Sequence, residues 1–469
     1  MKVAIWILRI IAALLALILA MYVIGILANL RDQPPSETAQ AFLDEIENRP
    51  PLADEDNAYY MLFGFQVPAG QDPLAAGIAR QQWLDQQLAN GDIDRSTDPI
   101  PMDVNFQNAR STDINAVVQT CREATLCVTT LSADQRRNWI DAEPWLLERY
   151  HDLISMAGFR EPVPYLPTAP IPNYGAALEG QRLWLLAAAS AAQDGDTVQA
   201  LSMLDDDLRF WRRTLSSSDL LISKMIAVAA VGLNFRYGNA VLETLSANGG
   251  TSVPPSWQLE LTREERSIRR ALAGEWFVVH SLTHAVDSGP DRYPLYWEYF
   301  DSALYNTAAW YVISPYLQPQ DINNRLAASA ERQAEIFDAD FPCVARQYGR
   351  QIALDEEPSR PWWSMYNLVG RLLSIETQDY RRYGFRVADL EGLRRAALLA
   401  NEMRNAGVMP DDVPAAIARS EIKDPYTGEA LGWDAETREI VTTLLSDDRP
   451  ERYRIRYEGP QAAPLAARQ

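Results

Sequence analysis

LWLLAAASAAQDGDTVQALSMLDDDLRFWRRTL (183–215) decides the fold class. Residues 183–192 and 200–215 are two apolar-rich arms, with Asp194-Gly195-Asp196 between them as a turn signal. In the second arm Leu201, Leu204, Leu208, Trp211 and Leu215 recur every three or four residues, which lays them along one stripe of a helix. A helical hairpin is predicted. Working outward, residues 219–245 and 257–286 read as two long helices, with Gly249, Gly250 and Pro255 between them. Helical period continues over 323–338 and again, as one or two helices, over 367–405.

Upstream, Trp139, Trp145, Leu146 and Tyr150 mark a further helical segment, ended by the proline-rich stretch 162–172. Ser36 is a predicted cap for a helix whose Ala39, Phe42, Leu43 and Ile46 share one face. DNAYYMLFGF (56–65) predicts another, capped by Asp56 or Asn57. After Pro410 the period is lost. Residues 431–433 and 439–445 predict a hairpin around Asp434-Ala435-Glu436. RYRIRY (452–457) predicts a strand with Tyr453, Ile455 and Tyr457 on one face. The fold class is therefore mainly α, with a small β-containing module at 411–469 and a frayed tail. Residues 57–410 are expected to make the helical body, 31–56 a linker and short helix, and 1–30 a transmembrane anchor.

IIAALLALILAMYVIGILANL (10–30), from Ile10 to Leu30, has Asn29 as its one strongly polar residue. About 20 apolar residues cross a bilayer's hydrocarbon core, and a helix does so with all its backbone hydrogen bonds made internally. The run exceeds the roughly 7–15 residues of a signal-peptide core, so an uncleaved transmembrane anchor is expected. Residues 220–235 are apolar but shorter and interrupted by Lys224, so one span is expected. Lys2 and Arg9 precede the run, whereas Arg31 is offset by Asp32. That bias predicts a cytoplasmic N-terminus and an exported bulk: a single pass through a bacterial inner membrane with a periplasmic body.

A formal net charge of −20 over 469 residues excludes a broad nucleic-acid-binding surface and a body lying flat on anionic lipid. The expected lipid contact is through residues 10–30, and the expected partner another envelope protein. Lysine is scarce: of 43 Lys and Arg only Lys2, Lys224 and Lys423 are lysines. Cys121 and Cys127 are disulfide candidates in an oxidising compartment, although spacing alone leaves the pairing open. Cys343 stands apart.

Candidate chemistry is sparse. His280 and His284, four apart, share a helix face and could chelate a metal, or could simply pack in a helix interface. Position 281 is Ser, so the HExxH pattern is incomplete. Lys224 is the one charge between Asp219 and Arg236, and Glu275 is similarly isolated between Arg270 and Asp287. Together they are candidates for a polar pocket; alternatively Lys224 snorkels and Glu275 faces water. Tyr293, Tyr296, Trp297, Tyr299, Phe300, Tyr305, Trp310, Tyr311 and Tyr316 form an aromatic cluster that suits sugar rings, a partner, or plain packing. No catalytic residue or cofactor is predicted.

Four phrases, RRALAGEW (269–276), YLQPQDINNRLA (316–327), NLVGRLLS (367–374) and DPYTGEALGW (424–433), are together similar to a family of bacterial single-pass, membrane-anchored, mostly helical proteins. The last also resembles the C-terminal hairpin of type II secretion pseudopilins. The chain departs from pseudopilins in continuing TTLLSDDRPERYRIRY (442–457) in place of a Gly- and Asp-rich tail, and in having no prepilin cleavage site before its apolar helix. AAQDGDTVQAL (191–201) resembles a tetratricopeptide-type hairpin turn, without a 34-residue period to follow. These resemblances imply an exported, anchored, helical protein and no particular activity. The expected function is non-enzymatic binding or scaffolding in the envelope; the alternative is an anchored hydrolase acting on cell-wall glycan or peptide.

Overall fold

The computed structural model describes residues 2–90, 93–101, 103–124, 127, 130–162, 169–247, 252–287, 310–311, 314–348, 366–374, 379–446 and 450–459. The fold is mainly helical, with a small sheet near the C-terminal end. Helix α1 (Lys2–Ala28) is long and apolar enough to span a membrane, and its large apolar side chains are exposed. Helix α2 (Glu37–Glu47) begins at Ser36, whose Oγ accepts from the Ala39 amide at 3.1 Å, and buries Ala39, Phe42 and Ile46. Helix α3 (Ala58–Phe63) begins at Asn57, whose Oδ1 accepts from the Tyr59 amide. It packs on α4 (Pro73–Asn90). Helices α5 (Thr112–Thr120), α6 (Ala133–Ala142) and α7 (Pro144–Ser155) lead to the predicted hairpin.

That hairpin is α8 (Tyr174–Gln193) and α9 (Thr197–Ser217). Its turn follows from the Asp-Gly-Asp sequence. Gly195 takes φ +81°, which costs glycine little. The amides of Gly195 and Asp196 return to the carbonyls of Ala192 and Ala191, closing the end of α8, and Asp196 caps α9 by accepting from the Gln199 amide. On the α9 stripe Leu204, Leu208, Trp211 and Leu215 are fully buried, and Leu201 partly so.

Helix α10 (Leu221–Ser246) also meets the length and apolarity of a membrane span, but it is mostly buried in the body. It runs between α8, α9 and the later helix Arg381–Asn405, and so is the central helix of the core. The expected single helix over 257–286 is instead three: α11 (Pro255–Gln258), α12 (Arg263–Arg266) and α13 (Arg269–Asp287). The break has a physical cause. Arg212 of α9 donates to the carbonyls of Ser256, Leu259 and Glu260 and pairs with Glu265, satisfying the backbone that the break frees. Thr262 and Glu265 then restart the helix with a reciprocal capping box.

Helix α14 (Pro319–Asp338) packs against α13 and α2, and is followed by α15 (Phe341–Gln347). Residues 367–405 hold two helices, α16 (Leu368–Ser374) and α17 (Arg381–Asn405). After α18 (Val413–Arg419) come β1 (Gly432–Asp434), β2 (Glu439–Val441) and β3 (Arg454–Arg456), antiparallel in the order β1-β2-β3. The strands are shorter than the predicted runs, and Trp433 pairs with Ile440, which pairs with Ile455. Tyr453, Ile455 and Tyr457 are all buried, but only Ile455 lies in the strand: Tyr453 ends a 3-10 turn (Pro450–Tyr453) and Tyr457 follows β3.

Helix α13 crosses the start of α10 at Gly274, where a Cβ would overlap the Asp219 carbonyl oxygen. A Gly274→Ala variant is therefore expected to lose about 2 kcal/mol, because overpacking against backbone relaxes poorly. Denaturant unfolding measures this; an unchanged midpoint would mean that α13 can slide.

Candidate functional site

The three-residue link between α9 and α10 (218–220) leaves helix ends without partners of their own, and buried polar groups from other helices gather on it. Helix α10 starts at Leu220 without a side-chain cap of its own. Glu275 of α13 takes that role, accepting from the Leu221 amide at 2.9 Å. Lys224, one turn into α10, donates from Nζ to the carbonyls of Leu215 at 2.5 Å and Glu265 at 3.0 Å. A cation thus meets the C-terminal end of α9, where the helix dipole favours it. Lys224 and Glu275 both reach the α9–α10 link, but each serves a different helix end.

Three further groups close the site. The Asp219 carboxylate lies between Arg49 and Arg270, and pairs with both. Glu161 accepts from the Asp219 amide at 3.0 Å, while the Arg49 Nη2 donates to the Glu161 carbonyl. Tyr174 and Ser223 share a hydrogen bond of 2.6 Å beside them. Burial pushes the Glu161 carboxyl up to about 7 and the Lys224 amine down to about 7; in Lys224 the nearby Glu265 opposes the shift. Both groups titrate near neutrality. Yet Lys224 is 2 % exposed, Glu161 1 % and Asp219 0 %, so none of them presents an atom to a substrate. What this arrangement does is fix α2, α9, α10 and α13 relative to one another.

The raised carboxyl sets a pH dependence. Glu161 in the folded protein holds its proton between pH 4.5 and 7, where the unfolded chain has lost it. Its contribution to stability is fully present below 4.5 and is lost as pH rises through 7. Relative to Glu161→Gln, the native protein should therefore weaken between pH 4.5 and 7 by about 3 kcal/mol, the span of the shift. Parallel unfolding curves for both proteins over that range test this; equal pH slopes would exclude a raised Glu161.

A second buried acid, Asp207 of α9, accepts from the Tyr150 hydroxyl at 2.5 Å, Gln181 Nε2 at 3.0 Å and Asn234 Nδ2 at 2.8 Å. Trp211 Nε1 donates to the Tyr150 oxygen, and Trp257 Nε1 to Asn234 Oδ1. Burial raises its carboxyl to about 6 against these donors. The network ties together α7, α8, α9 and α10 and is closed to solvent.

The histidine pair packs ring to ring at a tilt of 43°. The rings of His280 and His284 lie 4.1 Å apart, that of His280 rests on Trp276, and His284 Nδ1 meets the His280 carbonyl at 2.9 Å. Burial, and secondarily His284, hold His280 down at about 4. Among the described residues no group of three or more His, Cys, Asp or Glu side chains is arranged to hold a metal ion. Cys121 and Cys127 are joined as a disulfide with their Cα atoms 4.4 Å apart, and Cys343 is a free cysteine. Of the aromatic cluster, Trp310, Tyr311 and Tyr316 are among the described residues; Tyr293, Tyr296, Trp297, Tyr299, Phe300 and Tyr305 lie outside them.

At the other end of the body, α1 is fastened to the start of α14. Asp32 accepts from the amides of Gln320 at 2.7 Å and Asp321 at 3.1 Å, a carboxylate at a helix N-terminus. Asn29 accepts from the Asn367 amide at 2.6 Å and, through its carbonyl, from Gln318 Nε2 at 2.9 Å. Asn324 bonds to Ser36 and Pro34. The segment 31–36 is therefore a bonded joint, where the sequence suggested a linker.

No family model, curated protein or solved structure matches this chain.

Sequence reading singled out Lys224 and Glu275 by their isolation in apolar helices. It missed Arg49, Glu161, Asp219 and Asp207. Only Asp207 carried a signal: it follows Leu204 by three and precedes Trp211 by four, a polar residue on the packing stripe.

Proposed function

We propose that this is a membrane-anchored envelope protein with a non-enzymatic binding or scaffolding role, its body on the exported side of a bacterial inner membrane. The observation that carries this reading is the sealing of the polar centre. The residues best suited to chemistry, Lys224, Glu161, Asp219 and Asp207, are all 2 % exposed or less and serve helix ends or one another. The bonded joint at Asn29 and Asp32 supports it further, because a scaffold gains from holding its body in one orientation at the membrane. The Cys121–Cys127 bond and the N-terminal positive bias of Lys2 and Arg9 support the exported side.

Two measurements test the reading. In spheroplasts, externally added protease should degrade the body while inverted vesicles protect it; the reverse pattern would place the body in the cytosol. The intact protein in detergent should release no fragments from purified peptidoglycan, and measurable turnover of glycan or peptide would replace scaffolding by hydrolysis.

A further inference from the structure

We infer that Trp310, Tyr311 and Tyr316 form a second membrane-contacting element, docked on the last two turns of α1 and seated at the boundary between lipid headgroups and acyl chains. The inference rests on α1 spanning the bilayer. The candidate span is Ile5–Ala28, 24 residues. At about 1.5 Å per residue it is about 36 Å long, against a hydrocarbon core of about 30 Å. Centred in the bilayer, it extends about 3 Å beyond the core at each end. Tyr22 then lies about 6 Å inside the boundary and Gly25 within about 2 Å of it.

These are the positions that the later segment touches. Tyr22 donates its hydroxyl to the Tyr311 carbonyl at 2.8 Å. Tyr316 donates to the Met21 carbonyl at 3.4 Å. The Tyr316 ring covers Gly25 so closely that a Cβ there would overlap it, and the rings of Tyr22 and Tyr316 are 6.3 Å apart. Residues bonded to the span at this level share its depth. Tyr311 is 57 % exposed there, with Trp310 packed edge-on against it at 4.9 Å.

The occupant of that exposed surface is lipid. Trp and Tyr favour this layer because their rings partition toward acyl chains while their polar atoms stay near water. Residues 310–318, WYVISPYLQ, carry no charge, so attachment comes from burial of apolar area and needs no anionic headgroup. In a protein of net charge −20, an uncharged surface is also the one that approaches a bilayer without repulsion.

The test uses the full chain with Cys343→Ser, reconstituted in phosphatidylcholine vesicles, with a nitroxide placed in turn through Leu15→Cys, Tyr311→Cys, Trp310→Cys and Val198→Cys. Collision rates with oxygen and with a water-soluble nickel chelate report depth. Leu15 tests the anchor, and Val198, 81 % exposed in the body, is the aqueous standard. At 311 and 310 the oxygen-to-nickel ratio should exceed that at 198 severalfold, and remain so when phosphatidylglycerol is added. A deep reading at 15 with an aqueous reading at both 310 and 311 would overturn this inference and leave the anchor intact. An aqueous reading at 15 would remove the anchor and this inference together. Low collision rates with both reagents at 310 and 311 would mean that protein covers the surface, and would also overturn it. If Tyr311→Cys does not fold, Trp310→Cys alone decides.

Discussion

Replacing Asp219 by alanine should destabilise the protein by about 3–5 kcal/mol, the usual cost of leaving a buried ion pair without one partner. Asp219 is fully buried and faces two guanidinium groups, those of Arg49, 8 % exposed, and Arg270, 33 % exposed. The large effect comes through Arg49, since Arg270 can turn to water and recover hydration. Asp219→Asn keeps an acceptor and loses the charge, so its cost should be intermediate. The two arginines should also differ: Arg49→Ala in the Asp219→Ala background should restore part of the loss, and Arg270→Ala much less. Denaturant unfolding of the single and double variants reads this directly. Additive losses for Asp219 and Arg49 would show that the pair is not coupled.

The second large effect belongs to Asp389. This fully buried acid of α17 accepts from the Tyr426 hydroxyl at 2.7 Å, the Leu445 amide at 3.0 Å, the Ser446 amide at 2.9 Å and the Ser446 hydroxyl at 2.5 Å. It is the peg on which the β-containing module hangs. Asp389→Ala leaves two amides and two hydroxyls without their acceptor, at about 4 kcal/mol in all once partial rescue by water is allowed. The loss should be local. Hydrogen exchange should quicken at Leu445, Ser446 and the Ile440–Ile455 pair, while α8, α9 and α10 keep their protection. Uniform acceleration across both regions would instead make module and body one cooperative unit.

The legible parts of this fold are those whose cause is local. The α8–α9 hairpin could be read because its stripe, turn glycine and caps lie within one short stretch of sequence. The burial of Tyr453, Ile455 and Tyr457 was readable on the same ground. What could not be read depends on distant partners. The break in the α11–α13 region is stabilised by Arg212, on another helix, so nothing local to the stretch announces it as favourable. The capping box at Thr262 and Glu265 was present in the sequence, in the polar stretch 262–267, and could have been read as a helix start. Asp219 reads in the sequence only as the first residue of the 219–245 helix; its partner Arg49 lies 170 residues away. Lys224 and Glu275 stood out by composition, yet composition could not distinguish a mutual pair from two separate caps.

The joint at Asn29 and Asp32 turns the N-terminal helix into a lever. Lipid thickness sets how far such a helix leans from the membrane normal, since a span longer than the local acyl layer leans to hide its excess. A flexible tether would absorb that lean. Here the carboxylate of Asp32 and the backbone carbonyl of Asn29 weld the helix to the start of α14, and α14 packs on α13, which crosses the start of the central helix. In the proposed anchored arrangement the body should therefore swing with the helix through the same angle, so that bilayers of different thickness would present different sides of it.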